Sequence, residues 1–569
     1  MSRRVLLIGA TGVFGSRLAE LLVRKPDVEL ILAARSLPAL LTLQASLQQT
    51  SPSVQVALID RAKSELISLR PWLVIDAAGP FQDSGYALAF AAIGGGAHYV
   101  DLADARGFVA GFREALEGAA HKAGVLAVTG ASSTPALSHA ALERLVTDWR
   151  RLDDVAVVIS PGARAPRGLA VIEAILSYVG KPVRVFRNGL WGVVAGWSHL
   201  RRLYMPGVGR RWASICETPD LDLLPERFPI RRNALFSAGL ELAPMHLGIS
   251  LLSGLVRLRL MPDLRPLARP LRAGAGLLAP FGTDRGGMVV EACGADANGD
   301  AIRARWALWA EANAGPYTPA APAAALVAAI IDGRVTQRGA ATSAGLLDLD
   351  EILFELATFP IRSRFDEGHV DSPVLFRRLL GHRFDQLPAG VRSVHGASEP
   401  AIFSGSAIAR LGASPLARLI RSLLGLPRPG RSKVEVQVTP DRFGETWARR
   451  FGDARFRSRL VDTGPLGLFE ERFGPVRFEF DLQPTTTGVL WRMSGWSVMG
   501  LPLPRSLGPK IHARADEIGS QYQFRVAVAH SWIGLLFAYR GKLGRLPRGA
   551  RQLVTTVVAA RAARPSGDV

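Results

Sequence analysis

Within its first fifteen residues the chain commits itself to one kind of architecture. The uncharged apolar run Val5-Leu6-Leu7-Ile8 leads straight into Gly9-Ala10-Thr11-Gly12-Val13-Phe14-Gly15, three glycines at even spacing. Phe14, Leu18, Leu21 and Leu22 then fall on one helical face. A strand that turns through glycines into a helix leaves the first helical N–H groups pointing at whatever lies over the turn, and these favour an anion. In such a turn Gly9 permits the tight exit from the strand and Gly12 lets backbone N–H groups approach a pyrophosphate. Gly15 lets the helix pack close to the sheet.

The alternation continues. Strand candidates are Arg4–Gly9, Val28–Ala34, Val54–Asp60, Trp72–Ala77, His98–Leu102 and Val125–Gly130, most of them separated by helical patterns. Apolar strands alternating with amphipathic helices predict a parallel sheet covered on both faces. Residues 1–150 therefore read as a Rossmann dinucleotide-binding domain, for which the glycine turn has the required strand-before, helix-after context. An NAD-binding chain places Asp or Glu at the end of the second strand, on the ribose 2′-hydroxyl. This chain has Ala33-Ala34-Arg35-Ser36 there; a guanidinium and a hydroxyl suit a 2′-phosphate, so the expected cofactor is NADP(H). Asp60, closing the third strand, is a candidate for the adenine and equally a surface acid.

Residues 151–361 read as an α+β domain on the substrate side, with strand-like Asp154–Ser160 and Ala301–Ala312. Leu242–Val256 is free of charged residues and is followed by Arg257, Arg259, Arg265, Arg269 and Arg272. It is shorter than the roughly 18–20 residues a spanning helix needs. Two readings stay open: a helix buried in the core or at a subunit interface, and a basic-flanked helix lying in a membrane interface. The polar segment Arg362–Gly368 marks a boundary over Ile361–Ser372. Residues 372–550 read as β-rich, with a helix around Ser414–Gly425. Strands are expected at Lys433–Val438, Thr446–Phe451, Phe456–Val461, Leu468–Phe473, Val476–Leu482, Gly488–Trp496 and Tyr522–Ala529. The fold class expected is α/β: a Rossmann parallel sheet with an inserted α+β domain, then an antiparallel β-rich domain.

The formal net charge of +20 sits mostly in that last region: Ser372–Val569 holds 30 basic and 14 acidic residues, or +16. The cations are mainly arginines scattered along strands, and no zinc-finger, RNP or basic-zipper pattern accompanies them, so nucleic acid is not the expected partner. Compositional bias explains the arginines, as does attraction to anionic lipid or an acidic ligand. Two cysteines, Cys216 and Cys293, make neither a disulfide framework nor a four-cysteine metal site. They fit a cytoplasmic setting, as does an N-terminus that passes from Arg3-Arg4 into a strand without a secretory pattern. The mean hydropathy of +0.17 makes peripheral contact with the inner face of a membrane a reading to test.

No Tyr-x-x-x-Lys pair is present, as short-chain dehydrogenases require; Tyr178 and Tyr539 have lysine at three residues, off that spacing. G-x-S-x-G and H-E-x-x-H are absent too, so serine-hydrolase and zincin chemistry lacks support. Gly9–Gly15, Asp76-Ala77-Ala78-Gly79-Pro80-Phe81 with Gly85, His98-Tyr99-Val100-Asp101-Leu102, Gly130–Ser138 and Gly315-Pro316-Tyr317-Thr318-Pro319 resemble the saccharopine dehydrogenase-like NADP-binding family over roughly residues 1–360. Leu379-Leu380-Gly381, Leu387-Pro388, Val391-Arg392 and Gly500-Leu501-Pro502-Leu503-Pro504 are similar to the DUF4166 domain. The first resemblance implies a Rossmann unit with an inserted substrate domain. Its members include saccharopine reductases and enoyl reductases of lipid-like intermediates.

The resemblance further implies that Ala78, Gly79 and Pro80 border the nicotinamide half of the cofactor. Hydride transfer to C=O or C=N needs a proton. The candidates are Asp101, at a strand end on the ligand side, with His98 and Tyr99 beside it; the plainer reading of Asp101 is a helix cap. Where the family commonly has Gly-Glu after Asp-Leu, this chain has Ala103-Asp104, which argues against amino-acid substrates. The expectation is an NADP(H)-dependent oxidoreductase on an apolar or lipid-like small molecule. The rival is a membrane-associated protein that holds NADP(H) without turnover, and oligomeric state is left open.

Overall fold

The computed structural model describes residues 3–50, 53–60, 69–166, 168–369, 372, 374–415, 417–418, 427–441, 444–463, 467–498 and 501–545. The chain divides into two compact units, Met1–Gly299 with Ala304–Phe365, and Asp300–Arg303 with Asp366–Val569.

In the first unit, β1 (Arg3–Ile8), β2 (Val28–Ala34), β3 (Gln55–Leu58), β4 (Leu73–Asp76), β5 (His98–Asp101) and β6 (Leu126–Thr129) alternate with helices. These are α1 (Val13–Leu22), α2 (Leu37–Leu47), α3 (Ala87–Gly94) and α4 (Arg106–Ala123). A seventh strand, β15 (Gly339–Thr342), enters from far along the chain and pairs with β6. All pairings are parallel, in the order β15-β6-β5-β4-β1-β2-β3. The order reverses at β1 and β4, and ligands of such sheets sit outside the strands' carboxyl ends at that point. Leu6, Ile8 and Val74 face α3 and α4, while Val5, Leu7 and Ile75 face α1. This two-sided burial explains the unbroken apolar runs.

After α5 (Ser138–Leu145) a second, mixed sheet forms. Its strands are β7 (Arg151–Ser160), β8 (Pro182–Arg187), β9 (Leu190–Ala195), β10 (Arg201–Met205), β11 (Gly209–Ile215), β12 (Ile230–Ala238), β13 (Gly286–Ala295), β14 (Ala301–Ala310) and β16 (Ile361–His369). The main order is β10-β11-β12-β7-β13-β14-β16, with β8 and β9 as a hairpin at the side of β12. α6 (Leu169–Tyr178), α7 (Asp220–Arg227), α8 (Ala243–Arg257) and α9 (Ala268–Leu278) accompany it. The segment Arg362–Gly368, expected as a boundary, is part of β16; the division into units falls inside that strand. The Leu242–Val256 run forms α8, whose buried residues are His246 and Ser253 and whose leucines are not fully covered, so it is not a core helix.

The second unit holds β17 (Ala401–Leu411), β18 (Gly430–Asp441), β19 (Gly444–Phe451), β20 (Ala454–Asp462), β21 (Leu468–Phe473), β22 (Val476–Thr485), β23 (Gly488–Val498), β24 (Leu501–Pro502), β25 (Lys510–Ile518), β26 (Gln521–His530) and β27 (Gly534–Arg545). The expected antiparallel strands are present, but β22 also pairs with β23, so the sheet closes into a barrel rather than staying an open twisted sheet. Val434, Val436 and Val438 point inward while Lys433 and Gln437 point to solvent. Apolar-in and charged-out is the reverse of a transmembrane barrel. Phe376 and His395 pack in this core, and His395 lies 3.0 Å from the Tyr522 hydroxyl. Most of the expected helix Ser414–Gly425, and Gly500, lie outside the described residues.

Candidate functional site

The turn after β1 is a cradle that side chains would fill. Gly9 has φ +79°, a left-handed conformation, and a Cβ on it would lie 2.8 Å from the Ala77 carbonyl carbon. A Cβ on Gly15 would lie 2.1 Å from the Gly9 oxygen, and one on Gly12 3.1 Å from it. The three glycines thus let the start of α1 press against the strand end. The Ala33 carbonyl at the end of β2 accepts from both Gly9 N–H (2.9 Å) and Ala10 N–H (3.1 Å), fixing the turn. Thr11 and Gly12 are exposed and Val13 and Phe14 half-buried, so the crevice is open. Gly12 is the N-cap of α1, no side chain caps the helix, and its first turn holds no acid. Unsatisfied N–H groups and a positive helix end face that opening, as a pyrophosphate requires.

Arg35 and Ser36 leave β2 two and three residues beyond the carbonyl that pins the turn, at the same edge of the sheet. Arg35 is exposed and, among the described residues, makes no hydrogen bond or ion pair. Ser36 is the N-cap of α2 but does not use its hydroxyl to cap it. Both groups remain available to a ligand. Asp60 is exposed just beyond β3, one strand further out.

On the other side of the turn, Ala77 N–H donates to Ile8 O (2.9 Å) and Ala78 N–H to Asp76 Oδ1 (3.0 Å). The cis peptide Gly79-Pro80 follows, and both residues are exposed at the carboxyl edge. The turn expected to border the nicotinamide half therefore lies beside the glycine cradle.

The three residues of β5 expected to do proton chemistry do not share this site. Leu73 pairs with His98 and Asp76 with Asp101, so His98 begins the strand at the opposite, amino edge of the sheet. Its Nδ1 accepts from Leu126 N–H (3.0 Å), its ring packs edge-on to Trp72, and burial lowers its pKa to about 4. Tyr99 is buried beneath α4, stacked on Phe112, with its hydroxyl 3.4 Å from Asp76 Oδ2. Asp101 is at the carboxyl edge but wholly buried. Its Oδ1 accepts from Ala103 N–H (3.0 Å), Thr129 Oγ1 (2.8 Å) and Gly130 N–H (2.8 Å). It caps no helix; it ties the exits of β5 and β6 together. Burial pushes its carboxyl up to about 7, against the pull of those three bonds. None of the three can touch a substrate as placed.

Polar groups that do reach the cleft come from elsewhere. Asp104, in the loop after β5, is exposed. Desolvation raises its pKa, and Gln82 Nε2, two residues past the Gly79-Pro80 turn, donates to it at 3.4 Å. Facing it from the second sheet's layer are Tyr178 at the end of α6 and Cys216-Glu217 after β11. Burial holds the Tyr178 hydroxyl well above its usual pKa, with Cys216, Asp104 and Glu217 adding to the effect. Burial also pushes the Cys216 thiol up to about 12 and raises Glu217, which Arg106 opposes. Arg106 is committed: it donates to both oxygens of Asp222, which Arg184 also binds at 2.8 Å. At neutral pH the arrangement offers a protonated phenol beside raised carboxyls, a set able to hold and pass a proton. The sequence marked Asp104 only as a departure from a pattern and Tyr178 only for lacking a lysine at four residues; no local signal singled out Glu217.

Residues 387–543 match a family model described as Domain of unknown function (DUF4166). That places the barrel strands in a family. No curated protein matches the chain at the significance required. Among solved structures, the chain is similar to an apo saccharopine dehydrogenase (L-Glu forming) from Saccharomyces cerevisiae at 13% identity and a TM-score of 0.45, covering 64% of this chain and 100% of that one. It is also similar to an engineered D-amino acid dehydrogenase bound to NADP+ (15% identity, TM-score 0.34, covering 62% and 99%). A third is the C. glutamicum DAP dehydrogenase in complex with DAP (15% identity, TM-score 0.34, covering 62% and 98%).

Proposed function

We propose that this chain is an NADP(H)-dependent oxidoreductase whose substrate is an apolar or lipid-like small molecule. One observation carries the reading: an open glycine cradle at a helix start, with an unpaired arginine on the same sheet edge. The backbone of Gly9–Gly15 holds the pyrophosphate, Arg35 and Ser36 the 2′-phosphate, and Asp60 lies toward the adenine. Ala78, Gly79 and Pro80 line the nicotinamide end. A nicotinamide bound there supplies or accepts hydride. Tyr178 holds the accompanying proton, with Asp104 and Glu217 as its neighbours. The state of Arg106 supports an apolar substrate: the cation beside Glu217 is already paired with Asp222 and is not free to hold a substrate carboxylate.

The cofactor is tested by titrating NADPH and NADH into the protein and into Arg35→Ala. One lost charge-assisted contact is worth about 1.5–3 kcal/mol, so NADPH should bind roughly 10- to 150-fold more weakly while NADH is unaffected. NADPH affinity equal in the two proteins removes the assignment.

The second reading is a membrane-associated protein that holds NADP(H) without turnover; the exposed leucines of α8 favour membrane contact. Single-turnover NADPH oxidation in a cell extract separates the two.

A further inference from the structure

α8 carries apolar side chains on its outward as well as its inward face. Its two buried residues are His246 and Ser253. His246 Nε2 meets Ser214 Oγ at 3.0 Å and its ring lies against Trp197, while Ser253 Oγ donates to Gly196 O at 2.8 Å. These polar groups, together with Met245, Ile249, Leu252 and Val256 packed against the core, anchor the helix to the second sheet's layer. Outward lie Leu247 (41% exposed), Leu251 (71%) and, one residue past the helix, Leu258 (70%). Spaced by four and seven residues, they form one stripe on a single helix face. Gly254 falls on the same stripe, and a Cβ added to it would meet nothing within 4 Å. A solvent-facing helix normally turns charged or polar residues outward.

A cavity of about 750 Å³ opens between the end of α8 and β9. Val193 and Val256 supply apolar wall, and Lys181, His199, Arg257 and Arg259 supply the polar rim. Arg257 and Arg259 make no ion pair among the described residues. Arg187 adds a further cation, 2.7 Å from His199 Nε2. Among the described residues β9 pairs only with β8, and its Leu190 and Val193 are 73% and 67% exposed. Exposed apolar side chains and cations therefore gather around the end of α8.

We propose that α8 and the free edge of β9 dock on an anionic phospholipid bilayer, the leucines entering the interface and Lys181, Arg257 and Arg259 meeting lipid phosphates. Charge complementarity selects this occupant. A second copy packed on the same face would set these cations against their own duplicates, whereas an anionic leaflet neutralises them. α8, at 15 residues, is too short to span and is suited to lying in the plane. The proposal rests on the membrane-contact reading above and is independent of the cofactor.

The test is co-sedimentation of the full chain with phosphatidylcholine vesicles, alone and mixed with phosphatidylglycerol. The variants are Leu251→Gln/Leu258→Gln and Arg257→Gln/Arg259→Gln; all four side chains are exposed, and circular dichroism checks that the fold is kept. Binding is expected with phosphatidylglycerol only, and each double variant should bind about tenfold more weakly or worse. A chain that ignores both vesicles overturns membrane contact altogether. Wild-type binding that both variants retain overturns this surface and moves the contact elsewhere. A dimer in sedimentation velocity that the leucine variant abolishes, without vesicle binding, assigns the face to a second copy and overturns the proposal.

Discussion

Gly15→Ala and Gly118→Ala add the same methyl group to a helix with opposite consequences. In an unobstructed helix, alanine is favoured over glycine by about 1 kcal/mol, because glycine loses more backbone freedom on folding. Gly118 lies within α4, and a Cβ there meets nothing within 4 Å, so Gly118→Ala should stabilise the protein by about 0.5–1 kcal/mol. At Gly15 the new Cβ would fall 2.1 Å from Gly9 O, 2.9 Å from Gly9 C and 3.1 Å from Ala10 Cα. All three are backbone atoms, and no rotamer relieves them. Relief requires α1 to back away from β1 by roughly 1 Å, loosening the packing of Leu18, Leu21 and Leu22, and a backbone shift forced by an added methyl group costs about 1–3 kcal/mol. The same shift draws the helix start out of the cradle, and misplacement on that scale weakens a preorganised phosphate site by about tenfold or more. Urea unfolding followed by circular dichroism gives the stabilities, and NADPH fluorescence titration gives the affinities. If Gly15→Ala unfolds at the wild-type midpoint with undiminished NADPH affinity, the close approach of α1 to the strand is not what shapes the cradle.

Two further outcomes follow from the site's charges. Tyr178→Phe should lower the rate of NADPH turnover by about 10²-fold or more while leaving NADPH affinity and unfolding unchanged, because it removes the proton and not a binding group; a rate within twofold of wild type excludes Tyr178. Asp101, raised to about 7 from 3.8, is protonated more readily when folded than unfolded, so it favours the fold at acid pH and that contribution is lost as pH rises from about 4 through 7. Asp101→Asn should flatten the decline between those limits by an amount on the order of a few kcal/mol, measured as unfolding midpoints against pH. An unaltered profile refutes the buried-carboxyl account.

The glycine turn and its open crevice were readable because everything that shapes them is local: three glycines, a strand before and a helix after, and Arg35 at the next strand's end. The polar groups proposed to handle the proton were not. His98, Tyr99 and Asp101 are adjacent in sequence, but a strand sends neighbours to opposite faces and spreads four residues over about 10 Å. His98 therefore lies at the wrong edge, Tyr99 points into the helix layer, and Asp101 is spent on the exits of β5 and β6. Tyr178 and Glu217 belong to a different layer, and their meeting with Asp104 depends on how the second sheet returns over the first, which no local pattern encodes. The barrel strands were legible from their alternation. β17, β25 and β27 were not, since Gly405, the charge-rich Lys510–Ile518 and Gly541 blur the inside–outside contrast. Closure is likewise invisible, because β22 and β23 look like any hairpin until their partners on the far side meet.

β15 is four residues long, Gly-Ala-Ala-Thr, yet it covers the flank of β6 and comes more than 190 residues after it. During synthesis the ribosome releases β6 with an unpaired edge and cannot supply its neighbour until the entire intervening layer has emerged. A fragment ending near residue 150 would keep that edge bare, a template for pairing with other chains. The parallel-sheet half is consequently no detachable module: the chain must be made to about residue 342 before its own first sheet is finished.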